Sequence, residues 1–170
     1  DVAASSTNPK RISDLRSGSS SGIGWAEKWV LYKNKLIFVG NDGTYGDEPY
    51  SFDGTNFTRL ADIYTGSSGS SPEGFTIYND KLYFGAYSST YGREIWVYDG
   101  TNVSLVKDLA AGSQSGYGWG QMVVYNDKLY FNGYATDTGN ELYSYDGTNM
   151  TLVKDISSGT YTSGSNSYPN

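Results

Sequence analysis

Apolar and polar positions alternate along this chain in short runs, and the runs recur. In 128–134, Leu129 and Phe131 fall on one side of an extended segment and Tyr130 and Asn132 on the other, the period-two signature of a half-buried strand. Leu82 and Phe84, then Leu36 and Phe38, hold the same positions in two earlier copies. A second run, 141–145, carries Tyr143 and Tyr145, matched by Trp96 and Tyr98 and by Tyr50 and Phe52. Turn signals stand between the runs. Asn126-Asp127 separates a strand over 120–125 from the one over 128–134, and such a pair tolerates positive φ at both positions. Asp146-Gly147 marks the next hairpin, the strongest short hairpin signal in the chain. A fourth strand is predicted over 151–156, with counterparts at 104–109, 58–63 and 10–15.

Three markers share one period. Tyr125-Asn126-Asp127-Lys128-Leu129 repeats Tyr78-Asn79-Asp80-Lys81-Leu82 at an offset of 47, and Tyr32-Lys33-Asn34-Lys35-Leu36 stands 46 earlier. Asp-Gly-Thr-Asn recurs from Asp53, Asp99 and Asp146, and Gly-x-Glu at Gly46/Glu48, Gly92/Glu94 and Gly139/Glu141. A period of this length marks arrays in which each unit buries its apolar face against a neighbour. The prediction is an all-β fold of tandem four-stranded antiparallel blades of about 47 residues, β-propeller-like. The 170 residues divide into an orphan N-terminal strand (10–15), three full blades (24–63, 74–109 and 117–156) and a tail (157–170). A four-stranded sheet with both faces partly apolar must stack on other sheets, and a one-residue slip would turn Leu129 and Phe131 out to water.

The blade count leaves the array open. Propellers take about four to eight blades to close, so the chain is either a piece of a longer array or a unit that assembles. In the second case the orphan strand, Arg11, Ile12, Ser13, Asp14 and Leu15, adds to a sheet edge of another copy, and repeated head-to-tail contact gives a ring or a fibre. The alternative is that this strand pairs within its own chain beside the first blade.

The loops sort by rim. The two kinds of hairpin turn share one edge of each blade, while the longer loops 41–47, 87–93 and 134–140, with the Ser/Gly stretches 18–24, 66–74 and 112–120, share the other. Variable loops on a rigid scaffold are where binding resides. Trp25, Tyr45, Tyr91, Tyr117, Trp119 and Tyr134 stand on this rim, and aromatic platforms beside Asn and Asp suit carbohydrate; the other reading is that they fill gaps between blades. Asn56, Asn102 and Asn149 each open an Asn-x-Ser/Thr sequon just past the Asp-Gly turn, where a glycan has room, although Asn and Thr also suit turns. Asp42 and Asp47, with Asn41, Gly43 and Glu48, offer oxygen ligands to calcium; turn chemistry accounts for them without metal. The repeated Glu48, Glu94 and Glu141 are expected to accept from donors in their own blades.

Composition narrows the classes. Apolar residues make up only 37%, but 17 Tyr, 6 Phe and 4 Trp carry the burial, and aromatic residues suit a pleated surface. Net charge is -6 and no basic run exceeds two residues, which disfavours nucleic acid as a partner. No apolar run has the length of a membrane span. Cys and His are both absent, which removes disulfides, thiolate sites and His-based catalysis. The acids sit singly at turns, so no enzyme activity and no cofactor are expected. Asp1-Val2-Ala3-Ala4 suits a terminus left after signal cleavage, and the low charge fits an extracellular or cell-surface protein.

The segments Glu141-Leu142-Tyr143-Ser144-Tyr145-Asp146-Gly147-Thr148 and Glu94-Ile95-Trp96-Val97-Tyr98-Asp99-Gly100-Thr101 resemble the bacterial ELWxxDGT repeat, as does Leu152-Val153-Lys154-Asp155-Ile156 ahead of a Ser/Gly loop. The resemblance covers all but roughly the first and last ten residues. It implies large secreted or surface proteins with propeller-like blades, and it carries over no catalytic residue. The first copy departs from it at Pro49 and Phe52; a proline removes a ladder donor, which predicts a sheet edge or an irregularity there. The expected function is an extracellular structural or interaction module that assembles with like subunits into a filament, ring or surface layer, or mediates adhesion. The alternative is a lectin that reads glycans on the long-loop rim.

Overall fold

The structure, a computed structural model, describes residues 14–24 and 29–156. Among these there is no helix; twelve strands form three four-stranded sheets. Sheet 1 contains β1 (Val30–Tyr32), β2 (Lys35–Gly40), β3 (Glu48–Phe52) and β4 (Phe57–Arg59). Sheet 2 contains β5 (Glu73–Tyr78), β6 (Lys81–Ser88), β7 (Gly92–Tyr98) and β8 (Val103–Lys107). Sheet 3 contains β9 (Val123–Tyr125), β10 (Lys128–Ala135), β11 (Gly139–Tyr145) and β12 (Met150–Lys154). Each is an antiparallel meander in chain order.

The two hairpin turns of a blade differ more than their sequences suggest. In the first, both turn residues have positive φ, 45° and 54° at Asn126 and Asp127, 47° and 56° at Asn79 and Asp80, and 47° and 60° at Lys33 and Asn34. That is the tight turn whose twist matches its strands. The Asp-Gly hairpin is instead a four-residue loop, because Tyr145 pairs with Met150. Only its glycine has positive φ, 99° at Gly147. The Asp146 carboxylate accepts the N–H groups of Thr148 and Asn149 at 2.8 and 2.7 Å, and Asp53 and Asp99 do the same. A side chain that mimics a backbone turn replaces the shorter two-residue connection.

The fourth strands end sooner than the alternation predicts. The N–H of Ile156 turns to the carboxylate of Glu141 (3.1 Å), and those of Ile63 and Tyr64 turn to Glu48 (3.2 Å each). In sheet 3 the ladder stops at Lys154, two residues short of the N–H that the glutamate takes. Pro49 corrects the expectation of an edge: β3 is an interior strand, and Pro49 pairs with Val39 in regular register. Its missing donor falls on the β4 side. Ile95 and Leu142, at the same position, still pair with Lys107 and Lys154 through a bulge. Pro49 only accepts, from Leu60 N–H at 2.8 Å, and β4 ends at Arg59.

Sheet 2 lies between the other two. Leu82, Phe84 and Ala86 pack on Tyr32, Ile37 and Val39 of sheet 1. From its opposite face, Tyr78, Tyr83 and Ile95 meet Leu129, Phe131 and Tyr143 of sheet 3. Stacking on both sides overrides simple alternation in β6, where Tyr83 is buried beside Leu82; in β2, whose sheet stacks on one side only, Phe38 is buried beside Ile37 against Trp29, Tyr50 and Phe57. In β10 the alternation survives, with Tyr130 half-buried and Asn132 exposed. The first strands of successive sheets touch, β1 on β5 and β5 on β9. A tyrosine hydroxyl crosses each seam: Tyr32 donates to the Asp80 carbonyl at 2.8 Å and Tyr78 to the Asp127 carbonyl at 2.7 Å.

Candidate functional site

A cleft of about 370 Å³ opens at the long-loop rim of the seam between sheets 2 and 3. Tyr87 and Arg93 reach it from the facing ends of β6 and β7, and Tyr134 and Asn140 from the matching ends of β10 and β11. The loop entering sheet 3 supplies Ser115, Tyr117, Gly118 and Trp119.

Arg93 organises this loop twice over. Its backbone carbonyl accepts the N–H groups of Gly116 and Tyr117 at 3.1 and 3.0 Å, and its own N–H donates to the Ser115 hydroxyl at 3.1 Å. Its guanidinium lies under the Trp119 ring, 3.8 Å from the centroid, and pairs with Glu73 at 3.2 Å. Stacking and a planar fork are what Arg offers and Lys does not. Burial pulls the guanidinium below its ordinary value, against the opposing pull of the Glu73 carboxylate.

The buried carboxylate of Glu94 anchors the same loop, accepting from Gly116 N–H at 2.8 Å. Glu48 does the equivalent work one blade earlier, accepting from the Ser70 hydroxyl. The repeated glutamates thus accept donors within the connection that leads from one sheet to the next. Burial pushes both carboxyls up to about 7, although the surrounding donors favour the ionised form.

Close approach builds the cleft wall. A Cβ on Gly85 would lie 2.1 Å from the Tyr117 ring, so only glycine lets that ring lie flat against β6. The Tyr117 hydroxyl donates to the Gly120 carbonyl and holds the loop closed on itself. Trp119 projects outward at 72% exposure.

The rim aromatics singled out in the sequence separate here. Tyr117, Trp119 and Tyr134 come together in the cleft. Tyr45 does not; the Arg59 guanidinium covers it, 3.3 Å from its centroid, in sheet 1. Tyr91 lies in the loop after β6, its N–H on the Ser88 hydroxyl at 3.0 Å, and it is not part of the cleft lining. Trp25 falls outside the described residues, as do Arg11, Ile12 and Ser13 of the orphan strand; Asp14 and Leu15 are described and lie in no strand. Asn56, Asn102 and Asn149 are exposed in the four-residue hairpins.

Asp42 and Asp47 are occupied by their own loop. Asp42 accepts from Thr44 N–H, Tyr45 N–H and the Tyr50 hydroxyl, at 2.8, 3.2 and 3.0 Å, and Asp47 accepts from the Asn41 amide at 2.7 Å. Burial would raise Asp42, but these donors hold its carboxyl below the ordinary value. Among the described residues no three acidic side chains gather as a metal site would require.

Sequence reasoning missed Arg93, Tyr87, Ser115 and Asn140. One signal was available: Arg93 stands where the other two repeats carry Asp47 and Asn140, and a repeat that breaks its own pattern marks a place with a separate task.

No family model, no curated protein and no solved structure matches the chain.

Proposed function

We propose that the chain is an extracellular structural module that stacks on like subunits, continuing from copy to copy the fan of blades it builds within itself. The observation that carries this reading is the outer face of sheet 3. Val123, Tyr125 and Leu142 are exposed there, and register puts Tyr130 beside Val123 and Asn132 beside Leu142. The matching residues of sheet 1, Val30, Tyr32, Ile37 and Val39, are the ones that receive sheet 2. Sheet 3 therefore presents a surface of the kind already used twice inside the chain. Exposed apolar faces of this kind mark partner surfaces.

The opposite end offers the complement. Sheet 1 turns the exposed Leu31 and Trp29 away from sheet 2, with Phe38 buried against Trp29. Leu15 packs over Gly40 as Leu109 packs over Gly133 one seam later. The proposed contact between copies adds the strand predicted at Arg11–Leu15 to the outer edge of β12 in the neighbouring copy. Tyr125, 63% exposed, takes the role of Tyr32 and Tyr78 and donates to the Asn34 carbonyl of the copy stacked on sheet 3.

Touching first strands support a propeller-like fan, and the Glu-to-Asp-Gly-Thr segments support an ELWxxDGT-type array. Secretion to the cell exterior follows from that resemblance and from the low charge.

Light scattering and negative-stain imaging of the purified protein test the reading. Oligomers or polymers are expected, and Val123→Glu with Leu142→Glu, which alters only exposed side chains, should leave folded monomers. A parent protein that stays monomeric up to high micromolar concentration overturns the proposal.

A further inference from the structure

We infer that the cleft between sheets 2 and 3 is a binding site for a neutral sugar ring, one per chain, with Trp119 as the stacking platform. This inference does not depend on self-assembly.

The chemistry of the walls selects the ligand class. One face of the Trp119 ring is occupied by the Arg93 guanidinium, and the exposed indole offers the other. A pyranose presents an apolar C–H face to such a ring and hydroxyls at its edges. Asn140, Ser115 and Tyr134 supply polar groups at the margin, and a few placed polar groups in an aromatic cleft are what fix a small ligand's orientation. The volume of about 370 Å³ lies near the small end of the range for such sites, roughly 300–1,000 Å³.

Charge excludes the other small ligands. A quaternary ammonium finds no acidic side chain in the lining, whose one charged residue is Arg93. Its charge is already met by Glu73 at 3.2 Å, and the chain carries -6 overall, so an acidic sugar gains no unpaired partner. A proline-rich segment needs a run of aromatic ridges, whereas this cleft is a single recess.

The site occurs once among the described seams because the other seam lacks its residues. At the rim between sheets 1 and 2, Asn41 stands for Tyr87, Asp47 for Arg93, Ser71 for Tyr117 and Glu73 for Trp119, by the matching bonds of Ser70 and Ser71 to Asp47 and of Gly116 and Tyr117 to Arg93.

Chemical-shift titration of the tryptophan indole signals with methyl glycosides of glucose, galactose, mannose and N-acetylglucosamine tests the site, with glucuronate and a proline-rich peptide as competitors. A saturable shift of the Trp119 signal with one neutral glycoside, at one site per chain, is expected. Trp119→Ala should abolish it, Asn140→Ala should weaken it by about tenfold, and Tyr45→Ala should leave it unchanged. Both Trp119 and Asn140 are exposed, so their variants keep the parent melting temperature. No response to any neutral glycoside, a response that survives Trp119→Ala, or a preference for glucuronate or the peptide overturns the inference.

Discussion

The two seams of this molecule share one interior and differ at one rim. Between sheets 1 and 2, and again between sheets 2 and 3, leucine and phenylalanine from one sheet meet the next. A tyrosine hydroxyl crosses to the following turn in both. At the long-loop rim the likeness stops. The first seam places Asp47 and Glu73 where the second places Arg93 and Trp119. Duplication therefore kept what packing demands and released what packing does not touch. The rim is where a repeat protein acquires a task without loosening its core.

The largest effects should be equal in the two seams. Leu82→Ala and Leu129→Ala each empty a fully buried site and should each destabilise by about 2–5 kcal/mol. Denaturant midpoints that differ widely between these variants would show that the seams are not equivalent inside.

Next comes pH. Glu48 and Glu94 have carboxyls raised to about 7 by burial, above the unfolded value of roughly 4.3. The folded state then binds more protons than the unfolded state across that window, so the contribution of these two groups to stability is fully present below about 4.3 and is lost as pH rises through about 7. Urea midpoints for the two-seam core should fall between pH 5 and pH 8. Replacing both residues, Glu48→Gln with Glu94→Gln, should flatten the slope, and a slope that persists would assign it to other groups.

Smaller again is the hydroxyl tie. Tyr32→Phe and Tyr78→Phe should each cost about 1 kcal/mol, while Tyr125→Phe should leave the monomer's melting unchanged and weaken only its association. The smallest effect belongs to the rim itself: Trp119→Ala should shift stability by less than about 0.5 kcal/mol, although it removes the proposed stacking surface. A large loss of stability would make Trp119 a packing residue instead.

Particular residues show how far the chain could be read in advance. The alternation of Leu129, Tyr130, Phe131 and Asn132 placed β10 with its faces the right way, because a period of two needs no knowledge of neighbours. The same pattern concealed that Ile37 and Tyr83 are buried too, since their faces become interior only when the next sheet stacks on them. Pro49 suggested an edge and lies in an interior strand; what it changed was the length of β4, a consequence of which side its nitrogen faces. In the cleft, Tyr117, Trp119 and Tyr134 were visible as aromatics on one rim. Arg93 was not, because its role rests on contacts to Glu73 and Trp119, separated from it by 20 and 26 residues.

Local chemistry alone determined the repeat, the order of the strands and the places where the chain turns. Side-chain period, positive-φ residues and Asx-type turns act over a few neighbouring positions, and the sequence displays them directly. Tertiary packing decided which tyrosines share a cleft, which carboxyls are pushed up by burial and which face is left open. Those properties depend on distances between segments far apart in the chain, and such distances exist only once the sheets have stacked.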